Sequence, residues 1–230
     1  MKIIKNKSKD DLIKSIADLF IYSIENLAKE QETISIGLVG GRSVVPLYQE
    51  LAKINSPAWE KCHFFIVDER YVPIDDNESN YKLCKDILLN PLLHRNQIQD
   101  KYIHPMRTEL SGDDTAKDYS EQFEKYAKKL DIAILSTGED GHVGGIFPNK
   151  EYSNNTYDYF EDSPKMPPKR ISITPNNLSE TRIAFTLFLG EGKKDALNKF
   201  LNKQYERTTP QKVLDNIKDL IVVTDQIDVK

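Results

Sequence analysis

Short, almost wholly apolar runs separated by helical segments restrict the fold of this sequence more than any other feature. Strands that are buried on both faces of a parallel sheet have this character, because helices cover the sheet on either side. The sequence therefore predicts an α/β fold with a mainly parallel sheet and helices on both faces, Rossmann-like and doubly wound. Six runs are predicted as strands, at residues 34–39, 63–67, 132–135, 170–174, 182–189 and 220–223.

The stretches between these runs carry helical patterns. Residues 8–30 place apolar side chains at helical spacing, and Ser8 with Asp11 has the pattern of a capping box. Four further helices are predicted at residues 46–54, 79–89, 115–130 and 191–202. This alternation of strands and helices is what the crossover connections of a parallel sheet require.

The length of the chain fits one large α/β domain. The 230 residues contain no internal repeat and no linker long enough to divide them, which predicts a single domain over residues 1–230. Residues 151–168 form a long polar stretch. A poorly packed surface connection and a lid over a site are both open interpretations of it.

Charge, hydropathy and cysteine content argue against several classes of protein. A formal net charge of −4 with no long basic block predicts no nucleic-acid partner. No apolar run approaches the ~18 residues of a membrane span, and residues 1–30 lack the apolar core of a signal peptide. The two cysteines have no Cys-x-x-Cys spacing, which suits a reducing compartment. We expect a cytoplasmic protein without membrane contact, and the oligomeric state stays open.

Three unusual polar turns each follow a predicted buried strand directly, at residues 40–43, 68–70 and 138–142. Ligands of open parallel sheets bind beyond the carboxyl ends of the strands. If the three strands are parallel, the turns lie on one edge of the sheet. The sequence therefore predicts one binding site built from three distant segments.

The first turn consists of Gly40, Gly41, Arg42 and Ser43. Glycines let the backbone approach a ligand closely, and their N–H groups can hold an anion. Arg42 and Ser43 add a positive charge and a hydrogen-bond donor. An ordinary strand-to-helix turn is the alternative, and the sequence matches neither of the common glycine-rich nucleotide fingerprints.

The second turn has the sequence Asp-Glu-Arg and ends an apolar strand. Arg70 can present its planar guanidinium to a phosphate while Asp68 or Glu69 fixes its direction. An internal salt bridge at the exit of the strand is the alternative. Downstream, Ser79 is a candidate helix N-cap, and both Ser79 and Asn80 are candidate supporting residues of the site.

The third turn packs glycines around Asp140 and His142, within S-T-G-E-D-G-H-V-G-G-I-F-P. These glycines disfavour a core position for His142, whose neutral imidazole can accept a proton from water near neutral pH. Asp140, two residues away, can orient the ring. One histidine with scattered acids predicts no metal site. The remaining histidines are interpreted as structural or exposed: His63, His94 and His104.

Two further cations lie at the ends of predicted strands. Arg170 begins one strand, and Lys193 follows another at the start of a helix. Each is a candidate for binding an anion. A solvated surface charge is the alternative for both.

In this order, the motifs resemble the 6-phosphogluconolactonase family, within the group of glucosamine-6-phosphate deaminase-like α/β folds. The turns described above resemble the family segments L-S-G-G-S/R-T, D-E-R-x-V with a later S-N, and G-x-G-x-D-G-H-T-A-S-L-F-P. P-K-M-P-P-K-R-I-S-I-T and G-E-G-K-K resemble P-K-P-P-x-x-R-I-T-L-T and G-x-x-K. The D-E-R and D-G-H motifs at their separation are the specific part of the likeness.

The resemblance implies a carboxylic ester hydrolase that converts 6-phospho-D-glucono-1,5-lactone to 6-phospho-D-gluconate in the oxidative pentose phosphate pathway, with no cofactor. It implies that His142 is the general base and Asp140 the acid beside it. Arg42 stands where the family more often has serine. The residues implied to bind the substrate and its phosphate are Gly40, Gly41, Arg42, Ser43, Arg70, Arg170 and Lys193.

Two alternatives on the same fold stay open. Sugar-phosphate deaminases and isomerases, such as glucosamine-6-phosphate deaminase, are similar at D-G-H but continue toward I-A-F-N-E-P, whereas this chain has V-G-G-I-F-P. A non-catalytic sugar-phosphate-binding protein would keep the arginines and dispense with His142. The histidine and the sequence after it favour the lactonase.

Overall fold

The protein is built around a parallel β-sheet. The computed structural model describes residues 1–202 and 207–228. The strands within these ranges are β1 (Lys2–Lys5), β2 (Ile34–Leu38), β3 (Cys62–Ile66), β4 (Asp68–Arg70), β5 (Ile103–His104), β6 (Ile132–Ser136), β7 (Tyr157–Phe160), β8 (Arg170–Ile173), β9 (Ile183–Phe188) and β10 (Asp219–Thr224). Seven of them form one sheet in the order β1-β10-β9-β6-β2-β3-β5, with every pairing parallel. The predicted mainly parallel sheet is confirmed.

Helices connect the strands and cover the sheet. They are α1 (Lys9–Glu30), α2 (Val45–Leu51), α3 (Asn80–Cys84), α4 (Asn90–His94), α5 (Gly112–Tyr126), α6 (Pro175–Ser179), α7 (Lys194–Leu201) and α8 (Thr209–Asn216). Every residue of β2 is buried. Because alternate residues point to opposite faces, both faces of the central sheet are covered. α1 begins where predicted, because the Ser8 hydroxyl accepts the backbone N–H of Asp11.

The strand order reverses beside β2, and this reversal positions the site. From β2 the chain adds β3 and β5 on one side, then returns to add β6, β9 and β10 on the other. The connections that leave β2 and β6 therefore diverge, and a crevice opens at the carboxyl ends of these two strands. Ser43, after β2, and Ser136, the last residue of β6, meet there with their hydroxyl oxygens 2.7 Å apart.

A second sheet of three antiparallel strands, in the order β4-β8-β7, follows β3. Residues 68–70, predicted as a turn, form β4, and the polar stretch 151–168, predicted as a surface loop or lid, contains β7. Tyr157 anchors β7, since its buried ring packs edge-on against Tyr119 of α5 at 4.8 Å. The β4–β8 pairing joins segments that are far apart in the chain, so no local pattern predicted it. β7 pairs with β8, the next strand in the chain.

Other predicted boundaries differ from the structure for local reasons. The helix predicted at 79–89 continues through a π-helical segment, Lys85–Leu89, to His94. Pro91 is the second residue of α4 and follows the π-helical segment closely. Strand β1 and helix α8, which are four and eight residues long, were not predicted.

One hydrophobic cluster contains residues from Leu12 to Val223 and so draws on most of the chain. This continuity supports a single domain over residues 1–230, which stays a prediction because residues 203–206 and 229–230 lie outside the described ranges. Among the helices of those ranges, none has the length and apolar character needed to cross a membrane.

Candidate active site

A cleft of about 670 Å³ opens at the carboxyl edge of the parallel sheet. Its walls come from the residues that follow β2, β6 and β9, together with β4 and the start of β8. The three polar turns therefore do converge, as the parallel arrangement requires. Eight of the residues predicted for the site line the cleft: Gly40, Gly41, Arg42, Ser43, Arg70, His142, Arg170 and Lys193.

The glycine turn after β2 needs both of its glycines. Gly41 has a φ of +105°, a backbone conformation that other residues rarely adopt. A Cβ on Gly40 would come within 1.9 Å of the Asn80 amide oxygen, so the amide and the turn pack against each other directly. Arg42 is an exposed residue at the cleft.

Glu69, in the centre of the D-E-R motif, does not hold the Arg70 guanidinium, which corrects one part of the sequence interpretation. The Glu69 carboxylate is buried and accepts hydrogen bonds from the backbone N–H groups of Arg70, Asn80 and Tyr81 and from the Ser79 hydroxyl. Burial raises the pKa of Glu69 to about 7, against the effect of these four donors. The carboxylate thus ties β4 to the first turn of α3.

The Arg70 guanidinium is oriented by Glu78. Its Nη1 donates to the backbone carbonyl of Glu78 at 2.5 Å and lies 3.9 Å from the Glu78 carboxylate. The Asn80 amide in turn donates to the Asp68 carbonyl at 2.6 Å. Ser79 caps α3, as predicted, by accepting the N–H of Lys82. The bond from Nη1 to the Glu78 carbonyl holds the guanidinium at the wall of the cleft.

His142 and Asp140 form a hydrogen-bonded pair at the end of the third turn. The imidazole Nδ1 lies 2.5 Å from Asp140 Oδ1, and the Phe147 ring packs beside the imidazole at 5.0 Å. The turn is closed by the Gly138 N–H, which donates to the His142 carbonyl at 2.7 Å. A Cβ on Gly138 would lie 2.1 Å from the imidazole. Glycine is therefore required at this position for the ring to occupy its place.

Charge and burial shift the pKa values of His142 and Asp140 in opposite directions. Burial lowers the pKa of His142 below its ordinary value and outweighs Asp140, which raises it. Burial alone would raise the pKa of Asp140, but His142 and then Lys165 lower it below its ordinary value. The expected resting state is a neutral imidazole beside an ionised carboxylate. Because Nδ1 faces the carboxylate, Nε2 is the nitrogen that can accept a proton.

Arg170 and Lys193 both face the cleft, although Arg170 also has a structural task. The Arg170 Nε and Nη2 donate to the backbone carbonyls of Pro167 and Met166, at 2.9 and 3.0 Å. Burial lowers the pKa of Lys193, with Glu139 and Asp140 acting against it. Asp140 is the one predicted site residue that is not among those lining the cleft. Its carboxylate contacts the Nδ1 side of the His142 ring.

Several cleft residues were not predicted. Lys9 lies at the start of α1, directly after β1. The rule that placed the three turns would have found it had β1 been recognised. Lys165 lies in the segment that resembles P-K-P-P, which was the available signal. Its ammonium lies 3.4 Å from Asp140 Oδ2. Residues 1–202 and 207–228 contain no group of three or more His, Cys, Asp or Glu placed to hold a metal ion.

The sequence matches one family model over most of its length. That model describes glucosamine-6-phosphate isomerases and 6-phosphogluconolactonase, and it covers residues 7–222. The chain belongs to this family. The resemblance inferred from the motifs is thereby confirmed, and the cleft can be considered as a site of this family.

Two relatives of this chain are named 6-phosphogluconolactonase. The 6-phosphogluconolactonase of Borreliella burgdorferi is 35% identical over 205 residues, which cover 87% of this chain and 86% of the relative. That of Thermotoga maritima is 30% identical over 196 residues, covering 84% and 86%.

Solved structures agree with the fold. The Thermotoga maritima 6-phosphogluconolactonase superposes with a TM-score of 0.83 at 26% identity, covering 96% of this chain and 97% of its own. The 6-phosphogluconolactonase of Trypanosoma cruzi has a TM-score of 0.84 at 24% identity, covering 97% and 93%. At that identity the second likeness shows the fold alone.

Proposed function

We propose that this protein hydrolyses 6-phospho-D-glucono-1,5-lactone to 6-phospho-D-gluconate, the lactonase step of the oxidative pentose phosphate pathway. Its family membership and the names of its relatives support the reaction. The observation that carries the proposal is the His142–Asp140 pair, which presents a neutral imidazole to a cleft with many cations.

The charge of the cleft differs from that of the whole chain, which carries −4. Its lining residues include two carboxylates, Asp68 and Glu139, and six cations: Lys9, Arg42, Arg70, Lys165, Arg170 and Lys193. A phosphorylated lactone brings a phosphate and develops a second negative charge on its carbonyl oxygen during hydrolysis. Cations and backbone N–H groups held in a cleft stabilise both charges. We assign substrate binding to Gly40, Gly41 and Ser43 and to four of these cations, Arg42, Arg70, Arg170 and Lys193.

In the mechanism that we propose, His142 Nε2 takes a proton from a water molecule as the water oxygen bonds to the lactone carbonyl carbon. The tetrahedral oxyanion then collapses, and the bond between that carbon and the ring oxygen breaks. The imidazolium returns its proton to the departing ring oxygen, which becomes a hydroxyl group. The new carboxylic acid loses its proton to solvent. Asp140 holds the ring and stabilises the imidazolium while it exists.

The test is a pH-controlled hydrolysis assay on fresh lactone, corrected for spontaneous opening. We expect the parent to hydrolyse the lactone and His142→Asn to lose about 10²–10⁴-fold in kcat. Binding of 6-phosphogluconate should change little. His94→Asn is the matched control, since His94 is exposed and outside the cleft, and it should keep parental activity.

The competing functions predict different results in the same assay. A parent that binds 6-phosphogluconate without hydrolysing the lactone would support a sugar-phosphate-binding protein. Release of ammonia from glucosamine 6-phosphate would support the deaminase. Near-parental hydrolysis by His142→Asn would remove the assignment of the base. The cytoplasmic location and the lack of cofactor, nucleic-acid and membrane partners remain predictions from the sequence.

A further inference from the structure

Lys165 has no role in the mechanism above, although it lies beside the His142–Asp140 pair. Its Nζ is 3.4 Å from Asp140 Oδ2, while the other oxygen of the same carboxylate is 2.5 Å from His142 Nδ1. The three side chains therefore form a row of ammonium, carboxylate and imidazole. Lys165 itself lines the cleft.

The backbone that carries Lys165 is held in place by several hydrogen bonds. The Ser163 N–H donates to the Pro168 carbonyl at 3.1 Å, and the Lys165 N–H donates to the Ser163 hydroxyl at 3.2 Å. Arg170 binds the two carbonyls that follow Lys165, those of Met166 and Pro167. Lys165 is thus placed by its segment, unlike a surface lysine on a free loop.

We propose that Lys165 is a positioning residue for the His142–Asp140 pair: its ammonium holds the Asp140 carboxylate in place, and its charge adds to burial in favouring the neutral imidazole that accepts a proton. Without Lys165, burial would be left to oppose Asp140 and Asp68, and the imidazolium would become more stable. The kinetic part of this inference rests on the proposed function. The electrostatic part does not.

Other charged groups near the imidazole also affect the pKa of His142. Asp140 from the same turn and Asp68 from β4 raise the pKa of His142, and burial and Lys165 lower it. Lys193, after β9, also interacts electrostatically with Asp140, which raises the pKa of Lys193. Replacing Lys165 by a neutral residue removes one opposing charge and leaves these others in place. The direction of the change is therefore defined: protonated His142 becomes more stable.

The experiment uses three variants of the full chain. Lys165→Met keeps a long side chain without charge, and Lys165→Arg keeps the charge. Lys169→Met is the matched control, because Lys169 has a similar side-chain exposure (50% against 47%) but pairs with Glu161. The first readout is the NMR titration of the His142 imidazole, assigned by the signal that disappears in His142→Asn. The second is the pH profile of kcat/KM for the lactone.

We expect Lys165→Met to raise the pKa of His142 by about half to one unit, as removal of a nearby like charge does at a half-exposed position. The acid limb of kcat/KM should move to higher pH by the same amount. Lys165→Arg and Lys169→Met should titrate like the parent.

Superimposable titrations of Lys165→Met and the parent would overturn the inference. So would an equal shift in Lys169→Met, because surface charge in general would then be responsible. If Lys165→Met fails to fold, Lys165→Gln takes its place under the same criteria. A parent without lactone hydrolysis would remove the proposed function, while the NMR titration would still decide the role of Lys165.

Discussion

Arg70 of β4 lies directly opposite Arg170 of β8, as paired residues of the antiparallel second sheet. Like charges at facing positions of a strand pair destabilise a sheet. Burial lowers the pKa of Arg170, Asp68 raises it, and Arg70 lowers it, so the two guanidinium groups do act on each other. Both line the cleft. An anion bound between or beside them would reduce their repulsion, and we therefore expect this pair to favour phosphorylated substrates.

We expect Arg70→Met to lower kcat/KM for the phosphorylated lactone by about ten- to a hundredfold, the value of one lost hydrogen bond to a charged group. Hydrolysis of the unphosphorylated lactone should change much less. Parallel assays on the two lactones measure the difference. Arg182→Met, which removes an arginine paired with Glu30 outside the cleft, should leave both values unchanged. An equal loss on both lactones would contradict a phosphate role for Arg70.

The pH dependence of the reaction should follow His142. Because burial lowers the pKa of His142 despite Asp140, the neutral base persists to a more acidic pH than an ordinary histidine allows. We expect the acid limb of kcat/KM to have its midpoint below the ordinary histidine pKa of about 6.5.

Asp140→Asn tests the same charge balance from the other partner. It removes the strongest group that raises the pKa of His142, so the acid limb of kcat/KM should move to still lower pH. The value of kcat should fall as well, because the imidazolium loses its carboxylate. A limb that moves to higher pH would show that Asp140 does not act on the base in this way.

Gly138→Ala should disturb the base without touching the substrate cations. The new methyl group would lie 2.1 Å from the imidazole and 2.5 Å from Asp140 Oδ1, so the ring must move. Displacement of a catalytic group by about 1 Å costs about 10²-fold in rate, and we expect a loss of that order in kcat. Affinity for 6-phosphogluconate should stay near the parental value by calorimetry.

Gly192→Ala provides the comparison for Gly138→Ala. Its methyl group would meet only the flexible end of the Glu139 side chain, which can move aside. Parental kcat is therefore expected. Similar kinetics for the two variants would mean that the contact between Gly138 and the imidazole has no importance for the reaction.

Glu69→Gln should destabilise the fold by about 1–3 kcal/mol, because an amide nitrogen cannot accept the N–H and O–H donors that surround the carboxylate. Urea unfolding at several pH values measures the loss. The exposed Glu60 supplies the control, and Glu60→Gln should unfold like the parent.

The pKa of Glu69, raised from 4.5 to about 7, fixes the sign of the pH effect. Between these two pH values, Glu69 is ionised in the unfolded chain but still protonated in the folded chain. Its contribution to the free energy of unfolding of the parent therefore falls as pH rises. Glutamine does not titrate. The difference in free energy of unfolding between Glu69→Gln and the parent should therefore become smaller as pH rises from 4.5 to about 7. A difference that becomes larger over this range would contradict the raised pKa.

Much of the architecture follows from patterns between near neighbours in the chain. Apolar runs predicted six strands, because strands covered on both faces have no polar side to show. The turn around His142 was found because its glycines exclude regular core structure, and its contact with Asp140 spans two residues. The parallel arrangement then predicted that the three turns would converge, and they do.

Long-range contacts could not be predicted in this way. Arg70 faces Arg170 through a strand pairing, and Lys165 reaches Asp140 through a segment that Arg170 holds. β1 was missed for the same reason, since its partner β10 lies at the other end of the chain. Hydropathy patterns and residue propensities predict the local secondary structure of a segment from its neighbours in the chain. Which side chains meet across the cleft depends on how separate strands pack, and that is settled by the free energy of the whole core.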